Sequence, residues 1–352
     1  MKRIGFLYEK ICDLDNIKLA IMKASLGKRN RNYVKRILLD LDYFALQIRE
    51  LLVSQKYVPS PYTIKVIYDG ARKKERRIYK PRFYPDQIIH WALMLQVEKV
   101  IMRGMYEINC GSVPGRGTSF GQKYVRHCLD SDYRGTKYCL KMDVEKFYPS
   151  INKDVLKGMF RKDIKDNKCL WLIDQIVDSG DLGLPIGNYT SQWFANYFLQ
   201  GLDHFIKEML KTKYYIRYVD DLVLLGSNKR KLHKARKEIE QYLSSIHLKL
   251  KGDWQVFRTS KRAIDFLGLK FYQDKTIMRK ANSLRIRRRY KKIGKKTELN
   301  YLDACAAVSY WGWMKHSDSF RFYEKYIKCV VSISDAKRRI SEYARQRLCQ
   351  ST

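Results

Sequence analysis

The sequence predicts an α+β protein, and three observations support this class. The first part of the chain, to about residue 60, carries apolar residues at helical spacing. From residue 137 the pattern becomes strand, helix, helix and hairpin, which differs from the regular repeat of an α/β fold. After Phe271 the chain is basic and helical. We therefore expect an antiparallel sheet backed by helices.

The composition indicates a folded protein that binds a polyanion. The 352 residues include 71 Lys and Arg against 36 Asp and Glu, a formal charge of +35. Hydrophobic residues make up 45% of the chain and aromatic residues 13%, which can fill a core and excludes a disordered basic tail. Nucleic acid is the commonest partner of such a charge, and a membrane surface is the alternative.

No targeting or metal signal stands out. The chain contains no run of roughly 20 apolar residues and begins without a signal-type apolar stretch, so we expect a cytoplasmic protein. Its eight cysteines are scattered, with no C-x-x-C pair and no Cys/His cluster. We expect reduced thiols that fill the core rather than a structural zinc site.

The helical first part ends in a hairpin. Ile37, Leu41, Phe44, Ile48 and Leu51 predict one helix that stops before the proline-containing segment at residues 54–61. Alternating apolar residues at 62–68 predict a strand, the pair at 69–70 a turn, and residues 76–79 the return strand. A helix from about residue 85 to 102 and a glycine-rich turn at 114–121, leading into another helix, should follow.

The sharpest local feature is Tyr218-Val219-Asp220-Asp221, which lies between two apolar segments. Adjacent aspartates are common in solvated loops, so the pair alone says little. A tight turn between strands, however, would hold two carboxylates where they repel by roughly 1 to 4 kcal/mol at about 4 Å unless a cation intervenes. The setting therefore favours a cation site.

A third acid, Asp143, ends the apolar strand that begins at Tyr138. If this strand lies beside the hairpin, Asp143, Asp220 and the Val144 carbonyl would form an oxygen cage suited to two Mg²⁺ ions about 3.5 to 4 Å apart. The alternative is an ordinary ion pair of Asp143 with Lys141 or Lys146.

Between these acids lies a turn at residues 183–192 that leads into a helix. Its apolar stripe is Phe194, Phe198, Leu202, Phe205 and Met209, and it should face inward. This arrangement predicts that residues 191 and 192 lie at the exposed start of the helix. Without the acids on either side, a plain helix cap would be the better interpretation.

The order of these motifs resembles that of reverse transcriptases. Asp143 with Tyr148, Gly187-x-x-x-Ser191-Gln192, Tyr218-Val-Asp-Asp221 and Phe266-Leu-Gly-Leu269 match the palm motifs in order and spacing, and the likeness covers most of the chain. Leu184-Pro-Ile-Gly-Asn-x-Thr-Ser-Gln192 is similar, more narrowly, to reverse transcriptases of diversity-generating retroelements. The resemblance implies a right-hand polymerase with fingers, palm and a short helical thumb.

The resemblance implies a role for each matching position. Asp143, Asp220 and Asp221 would be the catalytic and magnesium-binding acids, joined as a ligand by Val144. Tyr148 would be the steric gate that disfavours ribonucleotides. The expected nucleotide-binding residues are Tyr148, Arg77, Lys74, Ile186, Gly187, Ser191 and Gln192. The expected primer grip is Phe266, Leu267 and Gly268.

Two positions depart from the family pattern. Val113 stands where many relatives have arginine before the Pro-Gly turn, which weakens the case for a template or triphosphate contact there. Trp254 stands where many polymerases have a lysine that acts as general acid. Protonation of pyrophosphate would then fall to Lys249, Lys251 or water.

The basic C-terminal third fits a thumb, in which cations on a predicted helix contact phosphates. Some of these cations are expected only to form a solvated face, and Tyr290 and Trp311 either stack on bases or pack. The expected nucleic-acid contacts are Arg116, Arg285, Arg287, Arg288, Arg289, Lys291 and Lys292.

Together these expectations define an RNA-directed DNA polymerase. The N-terminal region and fingers should occupy residues 1–136, the palm 137–271 and the thumb 272–352. The resemblance implies a retroelement RNA as template, deoxynucleotides, two Mg²⁺ ions, errors at template adenines and a small basic oligomeric accessory protein as partner. The alternatives are a retron or phage-defence reverse transcriptase, and a non-catalytic RNA-binding protein with the same fold.

Overall fold

The computed structural model of the chain describes residues 3–69 and 74–349. The α-helices are α1 (Leu7–Ile11), α2 (Leu14–Ser25), α3 (Asn32–Leu39), α4 (Leu41–Val53), α5 (Ile88–Met102), α6 (Thr118–Ser131), α7 (Phe147–Ser150), α8 (Lys153–Asp163), α9 (Asn167–Asp178), α10 (Tyr189–Phe198), α11 (Gln200–His204), α12 (Lys229–Ser245), α13 (Lys280–Ile293), α14 (Tyr301–Met314), α15 (Phe320–Tyr323) and α16 (Ile333–Cys349). The strands are β1 (Thr63–Asp69), β2 (Lys74–Lys80), β3 (Tyr138–Asp143), β4 (Tyr214–Tyr218), β5 (Asp221–Gly226), β6 (Gln255–Arg258), β7 (Ile264–Phe266), β8 (Leu269–Phe271) and β9 (Thr276–Met278).

The N-terminal part is helical as predicted, but the single helix expected around residue 40 is two helices. Asp40 has φ −126° and ψ 61°, outside the helical region, and ends α3. Its side chain then accepts a hydrogen bond of 3.4 Å from the Tyr43 amide and so caps α4. Periodicity missed this break because the apolar spacing continues across it.

The predicted hairpin is formed by β1 and β2, which pair antiparallel from Thr63 opposite Lys80 to Asp69 opposite Lys74. Gly70 of the predicted turn lies outside the described residues. The hairpin projects from the rest of the protein, since Ile64 on one face is 52% exposed and Ile67 on the other is 38% exposed. Its side chains are thus available to a ligand on both faces.

Four strands form the central sheet, in the order β4-β5-β3-β6, and every pairing is antiparallel. Successive side chains of a strand face opposite sides. Leu222 and Leu224 of β5 accordingly join one buried cluster, and Val223 and Leu225 join the other. The sheet is therefore buried on both faces, which explains why its strands read as continuous apolar runs.

One cluster contains the helices that back the sheet, α5 and α10 among them. The helix predicted after residue 191 begins two residues earlier, at Tyr189, with Asn188 as its first flanking residue. Ser191 is consequently buried at 2% exposure, which corrects the exposed position predicted for it, whereas Gln192 is exposed. Met209, predicted to face the core, is 72% exposed because Phe205–Met209 form a π-helical turn, whose wider period rotates Met209 out of the apolar stripe.

The other cluster joins the central sheet to the C-terminal helices and to a second antiparallel sheet, β7-β8-β9. The predicted basic helices are present as α13, α14 and α16. The α+β class and the antiparallel sheet backed by helices are therefore confirmed.

Disulfide bonds and membrane-spanning helices were not expected from the sequence. Cys12, Cys110, Cys128, Cys139 and Cys169 are buried free thiols, and Cys305 and Cys329 are free thiols that are at least partly exposed. In the parts of the chain that the structure describes, no helix combines the length and apolar content that a bilayer crossing requires.

Candidate active site

The Tyr218-Val219-Asp220-Asp221 segment forms a tight turn between β4 and β5. Tyr218 and Asp221 are opposite each other in the ladder, so Val219 and Asp220 make the turn. Val219 has φ +57°, a left-handed conformation that is uncommon for a β-branched residue. The turn therefore presents Asp220 at the end of the sheet in a conformation that its surroundings must hold.

The neighbouring strand brings Asp143 to the same place. Asp143 is the last residue of β3 and is the partner of Asp221 in the antiparallel ladder. The Val144 amide donates a 3.2 Å hydrogen bond to the Asp220 carbonyl. Three acids that are far apart in the sequence thus meet at one sheet end.

The two acids of the hairpin are costly to ionise in this setting. Burial, and next the negative charge of Asp143, raise the pKa of Asp220 to about 6. Burial also raises the pKa of Asp221 to about 7, although the Lys141 cation opposes the shift. A bound cation would relieve this crowding of carboxylates, because it favours their charged forms.

Two lysines pair with the acids. Lys251 Nζ lies 3.7 Å from Asp143 Oδ2, and Lys141 Nζ lies 3.7 Å from Asp221 Oδ2. The ordinary ion pair considered for Asp143 is therefore made by Lys251, which lies far along the sequence, and Lys141 pairs with Asp221 instead. Lys251 is held in place because its amide donates a 2.9 Å hydrogen bond to the Asp143 carbonyl.

A cavity of about 270 Å³ opens beside these groups and is lined by Asp143, Asp221, Lys141 and Lys251, among others. The Asp221 Oδ1 atom is shielded from solvent and has no hydrogen-bond partner. Among the described residues, no three His, Cys, Asp or Glu side chains are gathered as a preformed metal cage. The oxygen donors fit Mg²⁺ chemically, but they would have to close around the ion.

Tyr148 lies close to the acids, on the short helix α7. Burial, and next the Asp220 carboxylate, raise the pKa of Tyr148 to about 12, so the phenol stays neutral. Its carbonyl accepts a 2.9 Å hydrogen bond from Leu184. Gly183 has φ +48°, and a Cβ there would lie 2.2 Å from the same carbonyl oxygen. The turn before α10 is therefore packed tightly on the backbone of Tyr148.

The same turn also contacts the projecting hairpin. The Tyr79 amide of β2 donates a 2.7 Å hydrogen bond to the Ile186 carbonyl. Gly187 has φ +127°, and a Cβ there would lie 2.3 Å from the Tyr79 carbonyl oxygen. Ile186 and Gly187 thus join the hairpin to the site, while Ser191 is buried behind them.

Of the hairpin cations, Arg76 acts on the acids. Its positive charge lowers the pKa of Asp220, against the raising effect of burial. Arg77 faces the other side of β2, and its Nε lies 3.2 Å from Glu75 Oε1. The Lys74 side chain lies outside the described residues. Sequence reasoning assigned the triphosphate contact to Arg77 and gave Arg76 no role, although strand alternation allows only one of the two to face the acids.

The expected primer grip is the tight turn between β7 and β8. Leu267 has φ +48° and Gly268 has φ +85°. The Leu267 carbonyl accepts a 2.8 Å hydrogen bond from Gln122 of α6, and the Gly268 carbonyl accepts one of 3.1 Å from Asn282 of α13. Phe266 is fully buried beside them. The turn is therefore fixed between two helices.

The two positions that depart from the family pattern have structural roles. Val113 is 3% exposed and packs in the core, and Arg116 donates a 2.9 Å hydrogen bond to the Tyr106 carbonyl. Trp254 lies 4.6 Å from the Arg236 guanidinium and packs against α12. Lys249 is exposed, and its carbonyl accepts a 2.9 Å hydrogen bond from Glu145.

The cations of α13 divide into two groups. Arg289 Nη2 lies 2.5 Å from the buried carboxylate of Asp303, and the Arg287 guanidinium lies 4.7 Å from the centre of the Tyr326 ring. The remaining predicted contacts on this helix, which are Arg285, Arg288, Lys291 and Lys292, are exposed. Tyr290 is buried, so it packs rather than stacks on bases.

The paired carboxylates at the end of the antiparallel central sheet are suited to binding divalent cations. Comparison with known proteins identifies the family. The sequence profile described as "Reverse transcriptase (RNA-dependent DNA polymerase)" matches residues 73–271, more than half of the chain. The chain therefore belongs to the reverse transcriptase family. The right-hand polymerase fold predicted from the sequence accords with this membership and with the antiparallel central sheet.

Individual relatives are distant. The group II intron-encoded protein LtrA of Lactococcus lactis is 25% identical over 181 residues, which cover 48% of this chain and 29% of LtrA. The retron Ec73 reverse transcriptase of Escherichia coli is 25% identical over 256 residues, covering 65% of this chain and 78% of the retron protein. Apo telomerase from Candida tropicalis is similar at 14% identity and a TM-score of 0.49, covering 80% of this chain and 56% of the telomerase chain. That last likeness is too low to support a conclusion.

Proposed function

We propose that this protein is an RNA-directed DNA polymerase that copies a retroelement template RNA into cDNA. The observation that carries the proposal is the meeting of Asp143 with Asp220 and Asp221 at one end of the palm sheet, with Asp143 opposite Asp221. Carboxylates brought together in this way suit divalent cations. The basic charge of the chain supports a nucleic-acid substrate.

In the proposed mechanism Asp143 and Asp220 would hold the ions, with Asp221 and the Val144 carbonyl as further oxygen ligands. Two Mg²⁺ ions bound there supply activation of the primer 3′-hydroxyl and stabilisation of the leaving pyrophosphate. Asp221 has a free acceptor for this task, because its Oδ1 atom is without a hydrogen-bond partner. The lysines that pair with the acids would keep part of the negative charge compensated before the ions bind.

The residues around the acids would select and place the nucleotide. The Tyr148 ring would border the sugar and exclude a 2′-hydroxyl. Ile186, Gly187 and Gln192 would border the new base pair, and Ser191 would support them from its buried position. Arg76, with Lys74, would meet the triphosphate from the hairpin, whereas Arg77 lies on the other face of β2.

The proton donor for pyrophosphate would be Lys251 rather than Lys249. The Lys251 ammonium lies 3.7 Å from an Asp143 carboxylate oxygen and lines the cavity beside the acids. Lys249 is exposed and does not line that cavity. Geometry therefore favours Lys251 as general acid in the absence of a lysine at position 254.

The test is primer extension on a primed RNA with Mg²⁺ and either deoxynucleotides or ribonucleotides. We expect the unaltered protein to incorporate deoxynucleotides, and Asp143→Asn and Asp220→Asn to bind the same RNA without extending it. A protein that binds RNA but never extends any primer would be the non-catalytic alternative.

Within the family we propose the diversity-generating retroelement type, with errors at template adenines and a small basic oligomeric accessory protein as partner. Support comes from the Leu184–Gln192 segment and from Ile186, an apolar residue beside the proposed base pair. The retron type is the second candidate, because the retron Ec73 match extends over 78% of that protein. Sequencing of cDNA made on co-purified RNA distinguishes them, since substitutions concentrated at adenines favour the first type and faithful copies the second.

A further inference from the structure

Arg217 precedes the turn formed by Val219 and Asp220, which we call the catalytic turn. Arg217 has no role in the proposed chemistry, yet it is fully buried. We propose that Arg217 is a positioning residue that holds the Val219–Asp220 turn in place against Asp143. The inference rests on the proposed function in so far as the turn carries a metal ligand of a polymerase. It concerns a residue of β4 that makes no contact with substrate.

The guanidinium of Arg217 is at the centre of a buried polar network. Its Nε lies 2.7 Å from Asp203 Oδ1, and its Nη2 lies 2.5 Å from Asp203 Oδ2, which is a bidentate pair. Nη1 donates to the Val219 carbonyl at 3.0 Å and to Asn196 Oδ1 at 3.2 Å. Both Arg217 and Asp203 have 0% exposed side chains. Tyr215 also donates to Asp203, at 2.7 Å.

One bond in this network reaches the turn itself. The Val219 carbonyl precedes Asp220 directly, and Arg217 fixes its direction from two residues earlier. Val219 has a left-handed backbone, which costs about 1 kcal/mol or more and persists only when its surroundings hold it. The bond to Arg217 supplies such a constraint from inside the protein.

The opposite side of the turn is fixed by the segment between α5 and α6. The Cys110 amide donates to the Arg217 carbonyl at 2.9 Å, and the Arg217 amide donates to the Ile108 carbonyl at 3.1 Å. A Cβ on Gly111 would lie 2.5 Å from the Val219 nitrogen. Asn196 of α10 connects the two sides, because it donates to the Gly111 carbonyl at 2.6 Å.

A purely structural ion pair would not need this geometry. A buried pair can often be replaced by uncharged side chains without loss of stability, whereas removing one partner alone is costly. Asp203 satisfies the charge of Arg217 through Nε and Nη2 only. The remaining nitrogen, Nη1, donates hydrogen bonds to the catalytic turn, at Val219, and to α10 behind it, at Asn196. A lysine has one compact ammonium group and cannot serve both directions at once.

The test compares three variants. Arg217→Met combined with Asp203→Asn removes both charges and keeps an amide oxygen that can accept from Tyr215. Arg217→Lys keeps the positive charge but loses the planar guanidinium group that donates toward both Asp203 and Val219. Tyr197→Phe is the matched control, since it removes partly buried hydrogen bonds of the hydroxyl to Asp163 (2.6 Å) and to the Met159 carbonyl (3.0 Å), neither of which involves the turn.

Four quantities are measured for each variant: the melting temperature, amide hydrogen exchange in a peptide spanning residues 217–222, Mn²⁺ affinity by electron paramagnetic resonance, and kcat and KM for deoxynucleotide incorporation. For the double variant we expect a melting temperature close to that of the control, faster exchange in the 217–222 peptide, and Mn²⁺ affinity and kcat each lower by about 10- to 100-fold, as is typical when support behind a metal ligand is lost. For Arg217→Lys, we expect Mn²⁺ affinity, kcat and hydrogen exchange to lie between the values of the unaltered protein and those of the double variant. Tyr197→Phe should leave kcat and Mn²⁺ affinity unchanged.

The proposal is overturned if the double variant is as stable as the Tyr197→Phe control and also keeps its Mn²⁺ affinity, kcat and hydrogen exchange near those of the unaltered protein. Should the double variant fail to fold, Arg217→Lys decides in the same way. An unaltered protein that incorporates no nucleotide would contradict the proposed function instead. Mn²⁺ affinity and hydrogen exchange would still decide whether Arg217 positions the turn.

Discussion

Replacement of Gly187 by alanine tests whether the turn before α10 and the β1–β2 hairpin form one unit around the site. Gly187 has φ +127°, where residues with a side chain are strained, and its new Cβ would lie 2.3 Å from the Tyr79 carbonyl oxygen. The main chains of the turn and of β2 must therefore move apart. That movement should lengthen or break the 2.7 Å hydrogen bond from the Tyr79 amide to the Ile186 carbonyl.

The magnitude follows from two losses. Holding a residue with a side chain in this backbone region costs about 1 to 3 kcal/mol. Losing the Tyr79–Ile186 hydrogen bond costs about 0.5 to 1.5 kcal/mol. A combined loss of about 2 to 4 kcal/mol should lower the melting temperature of a chain of this length by about 3 to 5 °C. Displacement of Ile186 from the nucleotide should also lower kcat/KM for deoxynucleotides by about tenfold or more.

The assay is thermal unfolding together with steady-state incorporation on primed RNA. Gly158→Ala is the matched control, because Gly158 lies inside α8 and a Cβ there meets nothing within 4 Å. That control should be stabilised by about 0.5 to 1 kcal/mol and keep full activity. If Gly187→Ala keeps both the melting temperature and kcat/KM of the unaltered protein, the close packing of the turn on β2 is wrong.

Three further predictions concern charge. Because burial raises the pKa of Asp221 to about 7, its proton is bound more tightly in the folded than in the unfolded state, so the metal-free protein should lose stability as pH rises from about 4 to 7. In denaturant unfolding with EDTA, Asp221→Asn should lose less stability over this pH range than the unaltered protein, and an equal dependence of stability on pH would contradict this. Lys251→Met should lower kcat by at least about 100-fold in single-turnover incorporation, with Lys249→Met near normal, and equal effects would reject Lys251 as general acid. Arg288→Ala should reduce the salt dependence of RNA binding by about one charge, measured by affinity titrations at several salt concentrations. Arg289→Ala should instead lower the melting temperature, because it removes one of the two cations, Arg289 and Lys296, that pair with the buried carboxylate of Asp303; the reverse pattern would place the contact surface elsewhere.

Much of the fold could be predicted from local patterns. The β4–β5 hairpin was visible because two apolar runs flank Asp220 and Asp221, and the α13, α14 and α16 helices follow the helical spacing of the basic C-terminal third. The break at Asp40 was missed, because a capping aspartate interrupts the backbone without interrupting the apolar period.

The site was predictable only where a motif carried it. Asp143 was proposed because it ends a strand and matches a family motif, and the structure places it opposite Asp221. Arg76 was given no role because the choice between two adjacent arginines depends on which face of β2 turns toward the site. Arg217 was missed because its role depends on Asp203, whose contact arises only when α11 packs behind the sheet.

The most direct test of the account is a double-mutant cycle on Asp143 and Asp220 in single-turnover deoxynucleotide incorporation on a primed RNA. If both carboxylates hold the same ions, Asp143→Asn and Asp220→Asn should each abolish most incorporation, and the two together should cost little more than either one alone. Full multiplication of the two losses, or substantial incorporation by either single variant, would contradict a shared ion site at the end of the palm sheet.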